Sequence, residues 1–404
     1  MERNSKIWIF SEIYFPEETS TGYIMTEIAE ELGKETEIEV VTGYPAYFSS
    51  NRTELSQRSR RNNVVITRFL RIKLNKNKLL QRSLRAILIS LKFFFYGLRK
   101  VKKGDAVLLV TNPPTQLVLN SLLAHLKKAK LVVLVHDVFP DNLVAAGLML
   151  PNSISYKLIN TRIIKACNRA VRLIAIGRDM KEILQMKLGT SKKIDVIPNW
   201  AELERILPSP RNENSIIKKL NLTTKKVFLF AGNLGRVQGL EVLTKAIKEL
   251  KDKEYFHFIF VGNGAKSNSI ETLINSGVKN VSWLKEMPRN EQQVFLNACD
   301  IGIISLSKGM KGLGVPSKVY NILAAGKPVF CVVEEGSEIE LIVKEHQVGW
   351  IDSSFDPTHI ANSMIEAAND KNLDQFAQNA RRVAEDHYSK EKVLQMFTTL
   401  FKNL

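Results

Sequence analysis

Thirteen short apolar runs rich in valine, isoleucine and phenylalanine punctuate this chain, and helix-length amphipathic segments separate most of them. The first half carries "KIWIF" (6–10), "EIEVVT" (37–42), "NVVITRF" (63–69), "AVLLVT" (106–111), "KLVVLVH" (130–136), "VRLIAIG" (171–177) and "IDVIPN" (194–199). The second half carries "KVFLFAG" (226–232), "FHFIFVG" (256–262), "VSWLK" (281–285), "IGIISL" (301–306), "PVFCVV" (328–333) and "GWIDS" (349–353). Runs that are apolar on both faces belong in parallel sheets covered by helices, so the pattern predicts an α/β chain of two doubly wound domains. The expected division is 1–200 and 201–388, because "NWAELERILPSPRNENS" near 200–225 is polar, proline-bearing and weakly periodic. The last stretch, "SKEKVLQMFTTLFKNL" (389–404), reads as an amphipathic helix expected to pack back on the first domain.

In open parallel sheets ligands bind where strands end and helices begin, and the glycine-rich stretches of this chain fall at those ends. Gly22 follows the first run. "GNLGRVQG" (232–239), with Asn233, Gly235 and Arg236, follows the first run of the second half. "GNG" (Gly262, Asn263, Gly264) follows the next, and "GLGVPSK", with Gly312, Gly314, Ser317 and Lys318, follows "IGIISL". Four such loops predict a cleft between the domains. In "GMKGLGVPSKVYNILAAGKP" (309–328), Pro316 suits the first turn of a helix and Gly326 suits its left-handed stop. Val319, Ile322 and Leu323 then share one face, and Ser317, Lys318 and Asn321 another. Backbone amides of a glycine turn beside a helix start, an ammonium and a guanidinium make an anion site. It is not a Walker A loop, and "AGNLGRVQGL" is not GxGxxG. In the first half, His136 and Asp137 end a very apolar run, and Asn112 in "TNPPT" ends its neighbour; the imidazole is suited to a sugar hydroxyl or a leaving group.

The net charge of +17 is lopsided, with +15 in residues 1–200 and +2 in residues 201–404. Residues 55–104 hold fifteen basic residues and no acidic one, which marks a polyanionic partner for the first half. Within it, 79–103 reads as a basic amphipathic helix, placing Arg82, Arg85, Lys92, Arg99 and Lys100 as candidates for an anionic membrane surface. A core helix with basic ends is the rival reading. Nucleic acid is not expected, because the aromatic residues cluster on a helix instead of an open sheet. The three cysteines are scattered and unpaired in spacing, so the chain reads as one of a reducing cytoplasm, without zinc. The start "MERNSKIWIF" has no signal-peptide core, no apolar run is long enough to span a bilayer, and DxD and HExxH are absent.

Taken in order, "YFPEETSTG" (14–22), "VHDVFP" (135–140), "VIPNW" (196–200), "AGNLGRVQGL" (231–240), "FVGNG" (260–264) and "GVPSKVYNILAAGKPV" (314–329) resemble the retaining glycosyltransferases of family four over essentially the whole chain. The branch it looks most like builds bacterial surface polysaccharides and includes N-acetylfucosamine transferases. The resemblance implies the GT-B fold, two Rossmann-like domains facing a central cleft, with a nucleotide-sugar donor on the second domain, an acceptor on the first, and no metal or other cofactor. Carried over position by position, it implies that Arg236 and Lys318 hold the diphosphate, that Gly22 lets backbone approach it, and that His136 faces the donor sugar. The family's two glutamates eight positions apart are here Leu313 and Asn321, and its first-loop Arg and Lys are Asn233 and Gln238. Glu338 and Glu340 stand as candidates for ribose.

The resulting expectation is a UDP-sugar-dependent transferase acting on a lipid-diphosphate-linked saccharide at the inner face of the plasma membrane. Two alternatives stand beside it: a UDP-sugar 2-epimerase of the same architecture, and a non-enzymatic basic protein that binds membranes or nucleic acid. The latter explains the charge but not four glycine loops at strand ends.

Overall fold

The computed structural model describes residues 5–17, 19–45, 55–70, 79–189, 191, 193–285 and 287–404. They form two compact units. One holds the chain through Asn142, Met149–Ile197 and Leu394–Leu404; the other holds Leu143–Leu148 and Pro198–Val393.

The amino-terminal unit has the strands β1 (Ile7–Ser11), β2 (Ile38–Gly43), β3 (Arg58–Arg61), β4 (Val64–Phe69), β5 (Ala106–Val110), β6 (Lys130–Val135), β7 (Arg172–Ala175) and β8 (Ile194–Val196). They pair in the order β3-β4-β2-β1-β5-β6-β7-β8, every described neighbour parallel except β3 with β4. β1, β2 and β5 are buried along their whole length, which is why their sequences are continuous apolar runs instead of alternating ones. β3, "RSRR", is the exception. It alternates exposed and half-buried residues at the sheet edge, where charge discourages pairing with another chain.

Helices α1 (Ser20–Leu32), α2 (Leu79–Lys100), α3 (Pro114–Lys127), α4 (Asp141–Ala145), α5 (Ile154–Asn168) and α6 (Arg178–Leu188) connect these strands. The step from β1 to β2 runs one way along the sheet. The steps from β4 to β5, β5 to β6 and β6 to β7 run the other way, so right-handed crossovers place α1 on one face and α2, α3 and α5 on the opposite one. Within that layer α2 packs on α3 and α3 on α5. Gly97 sets the first spacing, since a Cβ there would stand 2.2 Å from Leu123 Cδ2.

One predicted surface residue is not on the surface. Arg85 is buried, its Nε donating to Glu12 Oε1 at 2.8 Å and its Nη2 to the Tyr44 carbonyl at 3.2 Å. A buried guanidinium must be paired and hydrogen-bonded, and this one is, so Arg85 leaves the membrane-facing set. Lys92, Arg99 and Lys100 are exposed, while the side chain of Arg82 lies outside the described residues.

The carboxy-terminal unit is a six-stranded parallel sheet of β9 (Lys226–Ala231), β10 (Phe256–Val261), β11 (Val281–Leu284), β12 (Ile301–Ser305), β13 (Val329–Val332) and β14 (Gly349–Asp352), ordered β11-β10-β9-β12-β13-β14. Around it run α7 (Ser215–Lys219), α8 (Leu240–Glu249), α9 (Ser267–Asn275), α10 (Gln292–Leu296), α11 (Lys318–Ala324), α12 (Glu338–His346), α13 (Pro357–Asn369) and α14 (Leu373–His387). Phenylalanines fill its core, with Phe228 stacked on Phe258 at 5.5 Å and edge-on to Phe330 at 6.4 Å. Gly302 seats α11 on β12, because a Cβ there would lie 2.5 Å from Ile322 Cγ2.

The final helix, α15 (Lys390–Lys402), ends in the amino-terminal unit. There Lys402 Nζ pairs with Glu35 at 2.9 Å and the Leu404 carbonyl accepts from Lys130 Nζ at 2.6 Å. No helix among the described residues is long and apolar enough to cross a membrane.

Candidate active site

In the carboxy-terminal unit three strand ends are knitted together by backbone. β9 ends at Gly232 and β10 at Gly262, with φ of +128° and +123°, a region that favours glycine. The two approach so closely that a Cβ on Gly262 would stand 2.1 Å from the Gly232 carbonyl oxygen. A Cβ on Gly264 would meet the Leu234 backbone at 2.4 Å and Asn233 Oδ1 at 2.6 Å. Leu234 N–H donates to the Asn263 carbonyl at 3.0 Å, and Lys266 N–H returns to the Leu234 carbonyl at 2.8 Å. Asn233 also packs on buried Gly235, while the Asn233 and Asn263 side chains are exposed. The end of β12 joins through Ser307, whose Oγ accepts from Gly239 N–H at 3.2 Å and donates to the Arg236 carbonyl at 3.4 Å. The Arg236 side chain is exposed on this knot. Sequence reading found the glycines but not Ser307, which has no signature of its own.

Lys318 opens α11 beside these loops, its Cδ 3.9 Å from where a Cβ on Gly232 would be. The expected solvent-facing ammonium is instead folded inward: Nζ lies 3.5 Å from the centre of the Phe230 ring and has no hydrogen-bond partner among the described residues. The aromatic face partly compensates the lost water, yet burial still pushes the Lys318 ammonium down to about 7. A cation near its neutral point beside a backbone corner is poised to charge fully when an anion arrives.

The rest of the predicted anion nest is largely committed to the protein itself. The helix starts at Lys318 and not at Pro316, with Ser317 at the cap position and no capping bond from its side chain. Gly309 and Lys311 N–H groups donate to Glu334 Oε2 at 2.8 and 3.0 Å, and Leu313 N–H to the Met310 carbonyl at 3.0 Å. An internal carboxylate therefore holds the amides just ahead of the 312–314 turn that sequence reading assigned to ligand; Glu334 was missed. Gly312 has a left-handed φ of +71°, Gly326 has the left-handed φ expected of it, +64°, and Gly314 is half-buried. Asn321 faces inward: its Oδ1 accepts from Glu202 N–H at 3.1 Å and its Nδ2 reaches Gln292 Oε1 at 3.5 Å. Glu340 caps α12, bonding Gly336 N–H at 2.8 Å and pairing with Lys344 at 2.5 Å, and Glu338 is buried in the same first turn. A carboxylate that satisfies an amide at the start of its own helix accounts for Glu340 without a ribose. Among the described residues, no three of His, Cys, Asp and Glu are grouped so as to hold a metal ion.

In the amino-terminal unit, Thr111 at the end of β5 organises the end of β6. Its Oγ1 accepts from the N–H groups of His136 and Asp137 at 3.2 and 3.3 Å. Asn112, next after Thr111, and Asp137, next after His136, are half-buried. His136 Nε2 is buried and makes no hydrogen bond among the described residues, and burial lowers the imidazole to about 4. Such a ring is neutral at pH 7 and able to hold a hydroxyl. Gly22 differs from expectation. Its N–H donates to the Thr19 cap at 3.3 Å, and a Cβ would stand 2.4 Å from the Glu17 carbonyl, so the close approach that demands glycine is made by the chain itself. A measurable consequence attaches to His136. The rate should hold from pH 7 to about 5 and fall as the ring gains a proton near 4. His136→Ala should lower kcat roughly tenfold to a hundredfold, the worth of one lost hydrogen bond in a dry site.

Two Rossmann-like parallel-sheet units in one chain are the architecture of the GT-B class, and the comparisons give that class a family. The family pattern described as Glycosyltransferase Family 4 matches residues 23–205, and Glycosyl transferases group 1 matches residues 212–383. The chain is 35% identical over 331 residues, 82% of each protein, to a probable glycosyltransferase, WbjE, of Pseudomonas aeruginosa. It belongs to the family-four glycosyltransferases of GT-B fold. Similar solved structures include sucrose-phosphate synthase of Thermosynechococcus elongatus (TM-score 0.78, 13% identity, 99% of this chain and 98% of that one). Anabaena HepE, solved in complex with UDP and glucose, superposes with a TM-score of 0.72 at 15% identity, covering 99% and 100%. WaaG, described as a glycosyltransferase involved in lipopolysaccharide biosynthesis, gives 0.69 at 15%, covering 97% and 99%.

Proposed function

We propose that this transferase moves a sugar from a UDP-sugar to a lipid-diphosphate-linked saccharide during assembly of a bacterial surface polysaccharide such as O-antigen or capsule. It does so at the cytoplasmic face of the membrane, with retention of configuration and without a metal. The donor's diphosphate meets the corner formed by Gly232, Gly262 and Gly264, with Lys318 and Arg236 supplying the charge that stabilises it as it leaves. The departing phosphate oxygen takes the acceptor's proton, and His136, neutral, holds a hydroxyl of the donor sugar. An N-acetylated deoxyhexosamine is the proposed cargo, in keeping with the branch the sequence resembles. The observation that carries the reading is the inward-folded Lys318, a desolvated ammonium beside a strand-end corner where Gly262 and Gly264 leave no room for a side chain. UDP in the solved HepE structure and lipopolysaccharide in the description of WaaG support the donor and the pathway class.

The test is UDP release with membrane extract, run with and without a chelator, for the parent and for Arg236→Ala. The side chain is exposed, so the variant should melt within about 0.5 kcal/mol of the parent. Loss of a charge-assisted contact to the leaving group should reduce kcat/KM about tenfold to a hundredfold. Unchanged rates from the variant, or turnover abolished by the chelator, would overturn the reading; product formed without acceptor would favour the 2-epimerase.

A further inference from the structure

The outer surface of the α2–α3–α5 layer combines two features that the transfer reaction leaves unexplained. The first is charge. None of these helices contains an aspartate or a glutamate, in a chain that has 41 of them. Lys92, Arg99 and Lys100 of α2 and Lys157, Arg162 and Lys165 of α5 are exposed. The second is apolar area. α2 buries Ile89 and Phe93 against the sheet side and turns Leu84, Ile87 and Phe95 outward, 49%, 45% and 55% exposed. α5 buries Ile163 and Cys167 and turns Ile154 and Leu158 outward, 80% and 56% exposed, and Leu126 at the end of α3 is also exposed. Scattered exposed aliphatics need no cause, but several on adjoining helices that carry cations and no carboxylate mark a contact surface.

We propose that this face is a docking surface for an anionic lipid bilayer, its aliphatic and phenyl groups entering the acyl boundary and its six exposed cations lying on headgroup phosphates. The inference rests on the reading of a lipid-linked acceptor and adds to it the place of contact. A second copy of this chain is a poor occupant, because a two-fold pairing sets the same patch against itself and these helices offer no carboxylate to answer the cations. Single-stranded nucleic acid is a poor one too, since five of the six exposed apolar side chains are aliphatic and give bases nothing to stack on.

The experiment is sedimentation of the full chain with vesicles of phosphatidylcholine alone, or mixed with phosphatidylglycerol, across a salt series. The parent should bind the mixed vesicles, less so as salt rises, and the neutral ones weakly. The triple variants Lys92→Glu/Arg99→Glu/Lys157→Glu and Phe95→Ser/Ile154→Ser/Leu158→Ser should each lose roughly tenfold or more of that binding. Lys251→Glu/Lys253→Glu, exposed in the other unit, should lose none. Melting temperature and its shift with a UDP-sugar are recorded for every variant to certify folding. Parent-like binding by either triple variant overturns the assignment, as do dimerisation that the apolar variant abolishes or tighter capture of a single-stranded oligonucleotide in the same salt. A UDP-sugar shift without vesicle binding overturns the docking surface alone. Vesicle binding without any nucleotide-sugar shift counts against the transferase reading while supporting this surface.

Discussion

Lys318→Met should melt higher than the parent in the absence of ligand and lose almost all transfer activity. The two effects have one cause. An ammonium buried over Phe230 without a hydrogen-bond partner costs the fold more than a thioether of similar length would. Relief of about 1–3 kcal/mol is expected, or roughly 3–8 °C in melting temperature for a unit of this size. The sign of the pH dependence follows. The folded state releases the Lys318 proton near 7 while the unfolded chain keeps it to about 10.5, so the unfolded state binds more protons between those values. The parent should therefore gain stability relative to the variant's curve as pH rises from 7 towards 10.5. Below 7 the two curves should run parallel, the variant higher. Ligand binding reverses the pull. A diphosphate needs the charged amine, so UDP affinity of the parent should weaken with rising pH above 7, whereas the variant should bind weakly at every pH. Removing the cation should cost kcat/KM about a hundredfold to a thousandfold. Calorimetry of both proteins across that pH range, with and without UDP, checks all of this. A variant that melts lower and still binds UDP would place the cost and the function of Lys318 elsewhere.

What the sequence disclosed and what it withheld divide along the same physical line. Strand ends were legible because continuous apolar runs stop at glycines, and Gly232, Gly262 and Gly264 lie where that pattern put them. The fold class followed from the same runs, since parallel sheets buried on both faces leave no other period. Side-chain direction was not legible. Whether Lys318 meets water or a phenyl ring depends on Phe230, 88 positions away, and whether Arg85 is on the surface depends on Glu12, 73 positions away. Local rules also misplaced causes. Gly22 looks like a ligand-facing glycine but makes room for the Glu17 carbonyl, and Glu340 looks like a ribose partner but caps its own helix. The arginine-rich edge strand β3 escaped notice because it has no apolar face to announce it. Thr111, Ser307 and Glu334, which fasten the strand-end loops, are single polar residues with no period or spacing to mark them.

The backbone knot itself is tested by a pair of glycine substitutions that differ only in surroundings. Gly262 and Gly277 both have positive φ, +123° and +85°, so alanine strains the backbone at either one. Around Gly277 nothing lies within 4 Å of the new Cβ, and Gly277→Ala should cost only about 1 kcal/mol and leave the UDP-induced melting shift intact. Around Gly262 the new Cβ would stand 2.1 Å from the Gly232 carbonyl oxygen, so the ends of β9 and β10 must part. That movement carries the Gly262 carbonyl, which accepts from Trp283 Nε1 at 2.9 Å, and the amide bonded to the Leu284 carbonyl at 3.2 Å. Gly262→Ala should therefore cost roughly 2–4 kcal/mol in stability, strain and overpacking together. It should also abolish the UDP shift at temperatures where the variant is still folded, because the corner that receives the diphosphate no longer has its shape. Parting two backbones displaces both sides of the corner, whereas removing one cation leaves its geometry in place, so the loss of affinity should exceed that of Arg236→Ala. Thermal melts of the three variants with and without UDP rank these effects. An alanine at Gly262 that keeps the UDP shift would show that the diphosphate is held away from the β9 and β10 strand ends.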